Sequence, residues 1–267
     1  MTENVPAELG GIGSPQNRNG DARGDQQTGG IHMSLQGKGG VGKSLVSSIL
    51  AQYFRARGRK VHCFDTDPVN RTLSQYKSLN VAPLDLLDNG RVDHKVWDTL
   101  FERLLTENAT FIIDNGASTF IQLWRYLLEF RAEEYLAEEG KTLYIHTVVT
   151  GGQALVDTLH GFHSLAASGS GRNIIVWLNE YFGRIERDGK KFDQMSAFQE
   201  SESRVYGSVH LPRRNPDTFE RDLEDVISHK LTIDEAIKDG AFSLVAKQRM
   251  KIMQRDWFEQ LDRLALV

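Results

Sequence analysis

The chain has 267 residues, 40% of them apolar, with 32 Lys and Arg against 36 Asp and Glu and a single cysteine. One cysteine excludes an intramolecular disulfide framework and any cysteine-only zinc or iron–sulfur site within one chain. The net charge of −4 gives no global attraction to nucleic acid or to an anionic membrane.

No apolar run approaches the ~18 residues needed to span a bilayer. Met1-Thr2-Glu3-Asn4 opens neither a basic nor an apolar leader. These features predict a cytoplasmic protein. Residues 1–30 carry seven of the 24 glycines, two of the six prolines and no aromatic residue. Such a segment buries too little apolar surface to offset its ordering entropy, so a disordered tail is expected.

From Ile31 the texture becomes short apolar runs alternating with helical patterns. Strands are predicted over Ile31–Gln36, Lys60–Asp65, Thr110–Asp114, Leu143–Val149, Asn173–Leu178 and Val205–Leu211. Helices are predicted over Ser44–Arg57, near Val69–Leu79, and over Asp93–Glu107, Thr119–Glu138 and Gln153–Ala167, with a largely helical remainder from about Pro216. This alternation predicts an α/β fold, a mostly parallel sheet flanked by helices on both faces, in one domain over 31–267.

The strongest chemical signal is Gly37-Lys38-Gly39-Gly40-Val41-Gly42-Lys43-Ser44, which fits the P-loop pattern G-x-x-x-x-G-K-[ST]. It stands between a predicted strand and a predicted helix. There, backbone N–H groups of a glycine loop and a helix N-terminus can wrap phosphates. Lys43 is expected to reach the β- and γ-phosphates, and the Ser44 hydroxyl to ligate Mg²⁺.

Two further strands end in acids. Asp65-Thr66-Asp67-Pro68 closes the second, where carboxylates beside a P-loop face the metal and the γ-phosphate. Asp67-Pro68 can also open a turn and cap the following helix. Phe111-Ile112-Ile113-Asp114 is an apolar strand ending in an acid suited to bind Mg²⁺ through water, and Gly116 follows where a backbone must approach closely. Asn115 and Ser118 share that loop. Asn179 ends a third strand, with an amide that offers both donor and acceptor.

The run Lys38–Ser44, with its second lysine, resembles the deviant Walker A motif of the ParA/MinD-like ATPases. That resemblance implies ATP/ADP and Mg²⁺ as ligands, and Lys38 crossing a dimer interface to the partner's nucleotide, hence a homodimer in the ATP state. It also implies that Asp65 helps hold the Mg²⁺ shell, that Asp67 positions or activates the attacking water, and that Asn179 pairs with the adenine edge near a Pro212-Arg213 turn. More narrowly, the blocks at 37–44, Asp65–Asn70, Ile113–Ser118, His146–Leu155 and Val176–Asn179 resemble the TraL-type conjugal-transfer proteins of broad-host-range plasmids, from about Ile31 to the C-terminal helix. A role in plasmid DNA transfer beside type IV secretion components is what that resemblance implies.

Chemistry removes some relatives. The single Cys63 cannot build the bridging cluster of a nitrogenase-type iron protein or an interfacial CxxC zinc site, and reads as a small buried apolar residue. A DNA-coating partition ATPase needs basic patches. Here Lys190-Lys191, Arg213-Arg214 and Lys247, Arg249, Lys251 and Arg255 are few, and acids dilute the last group. A membrane switch needs a C-terminal amphipathic helix; Phe242, Val245, Ile252 and Leu261 have the spacing, but packing on the domain is the favoured reading. A P-loop ligase such as dethiobiotin synthetase would not need Lys38. The expectation is a slow Mg²⁺-dependent ATPase switch in conjugal transfer, with DNA or membrane binding as the alternative. The polar turn with His146, Thr147, Thr150, Gly151 and Gly152 is expected near the nucleotide or a dimer face but receives no role, and His146 reads as a structural histidine.

Overall fold

The computed structural model describes residues 29–88 and 91–267. Apart from Gly29 and Gly30, the expected tail lies outside the described residues. The chain runs β1 (Ile31–Ser34), α1 (Lys43–Ala56), β2 (Val61–Asp65), β3 (Ala82–Pro83), β4 (Leu87–Asp88), β5 (Arg91–Val92), α2 (His94–Thr106), β6 (Thr110–Asp114), α3 (Phe120–Glu129), α4 (Ala132–Glu138) and β7 (Leu143–Thr150). It continues through α5 (Leu155–Ser168), β8 (Ile174–Asn179), β9 (Glu186–Arg187), β10 (Lys190–Lys191), α6 (Ser196–Gln199), β11 (Val205–Leu211), α7 (Arg221–Ser228), α8 (Ile233–Lys238) and α9 (Leu244–Leu264).

Seven strands form one sheet in the order β11-β8-β7-β1-β6-β2-β3, and every neighbouring pair is parallel. Parallel pairing demands crossovers, which here are helices laid on both faces. Every residue of β1, β6 and β7 is therefore buried. The pleat sorts β6 between two cores: Phe111 and Ile113 pack with Trp97 and Leu100 of α2, Leu123 of α3 and Phe162 of α5. Ile112 points the other way, into a core with Ile49 and Leu50 of α1 and Met250 and Trp257 of α9.

The expected strands appear within one or two residues. β3 and the short ladders β4–β5 and β9–β10 are additional, too short to carry a period. The helix expected near Val69–Leu79 is replaced by two 3₁₀ turns, Leu73–Gln75 and Lys77–Leu79. The Asp65 carboxylate accepts the N–H groups of Asp67 and Ser74, and the Asp67 carboxylate those of Val69 and Asn70. These local acceptors compete with the helical ladder, and Arg71 and Asn80 have left-handed backbones. The helix expected over Thr119–Glu138 breaks at Arg131, whose φ is +55°. The turn buries Ala132 and Leu136 and carries Glu133 to the N–H groups of Ser170 and Gly171 and to Arg204.

On α9 the buried stripe is Ala246, Met250, Met253, Trp257 and Leu261. Val245, expected on that stripe, is 63% exposed, one position out of phase. Residues of the helix do pack on the domain, and Val267 beyond it accepts the N–H of Gly30 beside β1. Among the described residues no helix is long and apolar enough to cross a membrane.

Two buried histidines bridge the sheet. His32 Nδ1 lies 3.0 Å from His146 Nε2, and Trp177 Nε1 donates to His146 Nδ1 at 2.9 Å. Indole nitrogen can only donate, so His146 Nδ1 accepts and its Nε2–H donates to His32. Burial pushes His32 down to about 3, and burial with the His32 neighbour pushes His146 well below its usual value. Cys63 is buried too, and burial pushes its thiol up to about 11.

Histidines held neutral contribute stability that is present above the unfolded value of about 6.5 and is lost as pH falls below it. The histidine contribution to the melting temperature should drop as pH is lowered from 7 to 5. His146→Gln should flatten that drop, measured by thermal denaturation across pH; an unaltered acid limb would assign the loss to other groups.

Candidate functional site

The loop 37–42 leaves the C-terminal end of β1, in the sheet's interior between β7 and β6, where the strand order reverses. In an open parallel sheet this is where ligands bind. Gly40 and Gly42 have φ of +74° and +105°, and a Cβ on Gly39 or Gly40 would meet nothing within 4 Å. The loop thus holds open space, rimmed by backbone, at the N-terminus of the 14-residue α1, whose Gly42 cap has no side chain. These are the requirements of a phosphate cradle.

Lys43 lies beneath the loop, 8% exposed, with Nζ donating to the Lys38 carbonyl at 3.0 Å. Burial pulls its amine down, and the charges of Asp114 and Asp67 partly restore it. Asp114 is buried at the end of β6, where Ser44 and Ser47 hydrogen-bond its carboxylate and Ser47 Oγ stands 3.0 Å from Oδ1. Ser34 Oγ, at 2.8 Å, extends the hydroxyl chain from β1. Burial and the nearby Asp65 charge raise Asp114 to about 7, against the opposing pull of the serines and Lys43. A buried acid beside a second acid and a serine hydroxyl is a donor set short of positive charge, which fits a divalent cation. Among the described residues no group of three or more His, Cys, Asp or Glu could hold a metal alone.

The acids of β2 are committed to the chain. Asp65 is 1% exposed and fastens the 66–74 loop through two backbone N–H groups. Asp67 caps the turn at Val69 and Asn70, and its Oδ2 has only the long 3.4 Å contact with Asn70 Nδ2. A Cβ on Gly116 would stand 2.8 Å from Asp67 Cγ, so only glycine lets the β6 loop close on Asp67. Asn115 locks that loop: its Oδ1 accepts from Thr66 and Thr119, and its Nδ2 donates to the Gly116 carbonyl.

A cavity of about 800 Å³ opens over the loop. Gly39, Gly40, Gly42, Lys43, Ser44, Asp67, Asn179 and Pro212 line it, together with Asn115 and Ser118. Asp65 and Asp114 stand behind its wall, and Val41 is buried with its carbonyl bonded to Asn179. Three expected residues behave differently. Lys38 points away from the cavity to Asp157 of α5, at 2.8 Å, with both side chains about half exposed at 45% and 54%. Asn179 spends both amide atoms within the chain, Nδ2 on the Val41 carbonyl and Oδ1 on the Tyr181 N–H. Arg213 is not on the wall; the adjacent Arg214 is, tied to Asp256 at 2.6 Å.

Residues that motif reading missed complete the far end: Tyr181 and Phe182 after β8, and Phe219 and Glu224 from the segment leading into α7 and from α7 itself. The turn Thr150-Gly151-Gly152 explains their placement. A Cβ on Gly151 would fall 2.2 Å from the Gly183 carbonyl oxygen, and one on Gly152, at φ +69°, 2.6 Å from that of Phe182. The two loops pack backbone on backbone, which only glycines permit. Thr150 Oγ1 donates to the Asn179 carbonyl and pins the same junction.

Sheet, loop and buried acids together define a P-loop nucleotide-binding domain. Residues 33–224 match the family model described as the CobQ/CobB/MinD/ParA nucleotide binding domain. Two Escherichia coli proteins named Protein TraL are 44% and 42% identical to the chain over 238 residues, covering 89% of it and 99% of each relative. The MinC:MinD cell division protein complex of Aquifex aeolicus shares the fold with a TM-score of 0.50 at 15% identity, covering 85% of this chain and 94% of that one. The chain belongs to the CobQ/CobB/MinD/ParA nucleotide-binding family and, within it, to the TraL proteins.

A carboxyl raised from 3.8 to about 7 contributes stability below pH 4 that is lost as pH rises through 7. Measured against Asp114→Asn, nucleotide-free wild type should therefore lose melting temperature between pH 5 and 8, opposite in sign to the histidine term. Equal losses in both proteins would show that Asp114 is not the group responsible.

Proposed function

We propose that this protein is a Mg²⁺-dependent ATPase that works as a dimerisation switch in plasmid conjugal transfer. The observation that carries this reading is the pairing of a glycine cradle that no side chain enters with a buried Lys43 and Asp114 beneath it. Phosphate bound in the cradle would return to Lys43 the countercharge its position calls for. Mg²⁺, held by Ser44 with Asp114 and Asp65 behind it, would offset phosphate charge and that of the acids. Asp67, with Oδ2 lightly engaged at the cavity wall, is the residue suited to orient water. Asn179 and Pro212, which also line the cavity, would hold the base.

Lys38 supports the dimer reading. Its bond to Asp157 lies on the surface, where such pairs contribute little, so a second nucleotide across an interface can take the lysine over. Exposed Val69, Ile121 and Val156 stand just after β2, at the start of α3 and at the start of α5. These positions all follow C-terminal strand ends around the loop, an apolar rim suited to a second copy. The role in transfer, beside type IV secretion components, rests on the likeness to the TraL proteins. DNA and membrane binding remain the less favoured alternative. Arg214, Arg249 and Arg255 are engaged with Asp256, Asp222 and Glu259, and α9 spends its apolar stripe on the core.

The test is nucleotide binding and sedimentation with ATP and Mg²⁺. Lys43→Ala should abolish binding. Lys38→Ala should keep binding but lose ATP-dependent dimerisation, and Asp67→Ala should bind and dimerise with hydrolysis reduced at least about tenfold. Unchanged affinity in Lys43→Ala would overturn the reading, and a monomeric wild type with ATP would remove the switch.

A further inference from the structure

The far end of the cavity contains a polar group without an assigned task. We propose that Glu224 determines base specificity: its carboxylate accepts the amino group on the Watson–Crick edge of a purine base. This rests on the nucleotide-binding reading above.

The other polar side chains of that wall are already engaged within the chain. Both Asn179 amide atoms are engaged by Val41 and Tyr181. Arg214 is held by Asp256, Ser228 Oγ donates to the Asp225 carbonyl, and Glu220, which accepts the Arg214 N–H at 3.1 Å, has a cationic partner in Arg213 at 4.0 Å, whereas Glu224 has only a neutral phenol. Glu224 projects from α7 and accepts the Tyr181 hydroxyl at Oε1. A carboxylate has four lone pairs, so one phenol leaves acceptor capacity, and an ionised acceptor forms the stronger class of hydrogen bond.

Position is fixed from two sides. Tyr181 follows Asn179 on a loop whose backbone rests on Gly151 and Gly152, and it stacks edge-on with Phe182 at 4.9 Å. The phenol therefore orients the carboxylate, and the surrounding wall is apolar: Phe182, Leu211, Pro212, Phe219 and Leu223. A flat aromatic base suits that wall, and its edge then meets an acceptor that cannot donate. Such an edge must offer N–H, as adenine does at its 6-amino group and guanine at N1 and its 2-amino group; a base lacking the amino group leaves the carboxylate unmatched.

The test compares affinities of full-length protein for two pairs of triphosphates, ATP with purine riboside triphosphate and GTP with ITP, each pair differing by one amino group. The nucleotide that binds more tightly identifies the base, and its amine-less partner should bind about tenfold more weakly. Glu224→Ala should close that gap, and Glu224→Gln, which keeps an acceptor oxygen, should retain most of it. Circular dichroism of the variants verifies folding. A full gap in Glu224→Ala, or no gap in the wild type while nucleotide still binds, overturns the inference alone. No binding of any nucleotide by the wild type overturns the reading it rests on.

Discussion

Because β1 pairs in parallel with β7 on one side and β6 on the other, the loops that follow all three strands emerge at one edge of the sheet. Everything the site contains depends on that constraint. It sets the glycine loop beside the buried end of β6 and so brings Ser44, Ser47 and Asp114 into one hydrogen-bonded group. It also obliges the helices to cover both faces, which removes water from Lys43 and Asp114 and gives their charges their strength. An antiparallel neighbour to β1 would deliver its end to the opposite edge and leave the loop without its acid.

Charge and space balance around the loop in a way that favours ligand over solvent. A lysine and an aspartate are buried where two glycines of the loop, Gly39 and Gly40, leave the space beside them free of side chains. Burial lowers the one and raises the other. The folded chain holds this unfavourable state because the two cores on either side of the sheet are continuous and well filled. Ionisable groups shifted by burial beside specific charges cluster at functional sites.

Glycines have two separate uses here. In the cradle they keep side chains out of the space for phosphate. At Gly116, Gly151 and Gly152 they let backbones touch: Gly116 against Asp67, and the β7 turn against the loop that carries Tyr181 and Phe182. The second use links the two ends of the cavity. The glycine-loop end hangs on β1, β2 and β6, the other end on β8 and α7, and the Gly151-Gly152 turn beside Asn179 is where they join.

Much of this was legible in the chain. The spacing of Gly37–Ser44 defines a phosphate loop because its glycines and lysine meet a local backbone requirement, and the apolar runs ending in Asp65 and Asp114 define buried strands because parallel strands bury both faces. Where local hydrogen bonding could compete with the expected element, periodicity misled: the carboxylates of Asp65 and Asp67 draw residues 66–74 out of a helix, and Arg131 breaks one that its sequence would continue. The partners of long-range side chains were not legible at all. Lys38 on Asp157, Asn179 on Val41, and Tyr181 on Glu224 join residues 119, 138 and 43 positions apart. The loop, the strands and the chemistry each can offer follow from neighbours in the chain and are readable there. Which of those groups face the cavity and which are already occupied depends on contacts made only when distant strands come to share one edge.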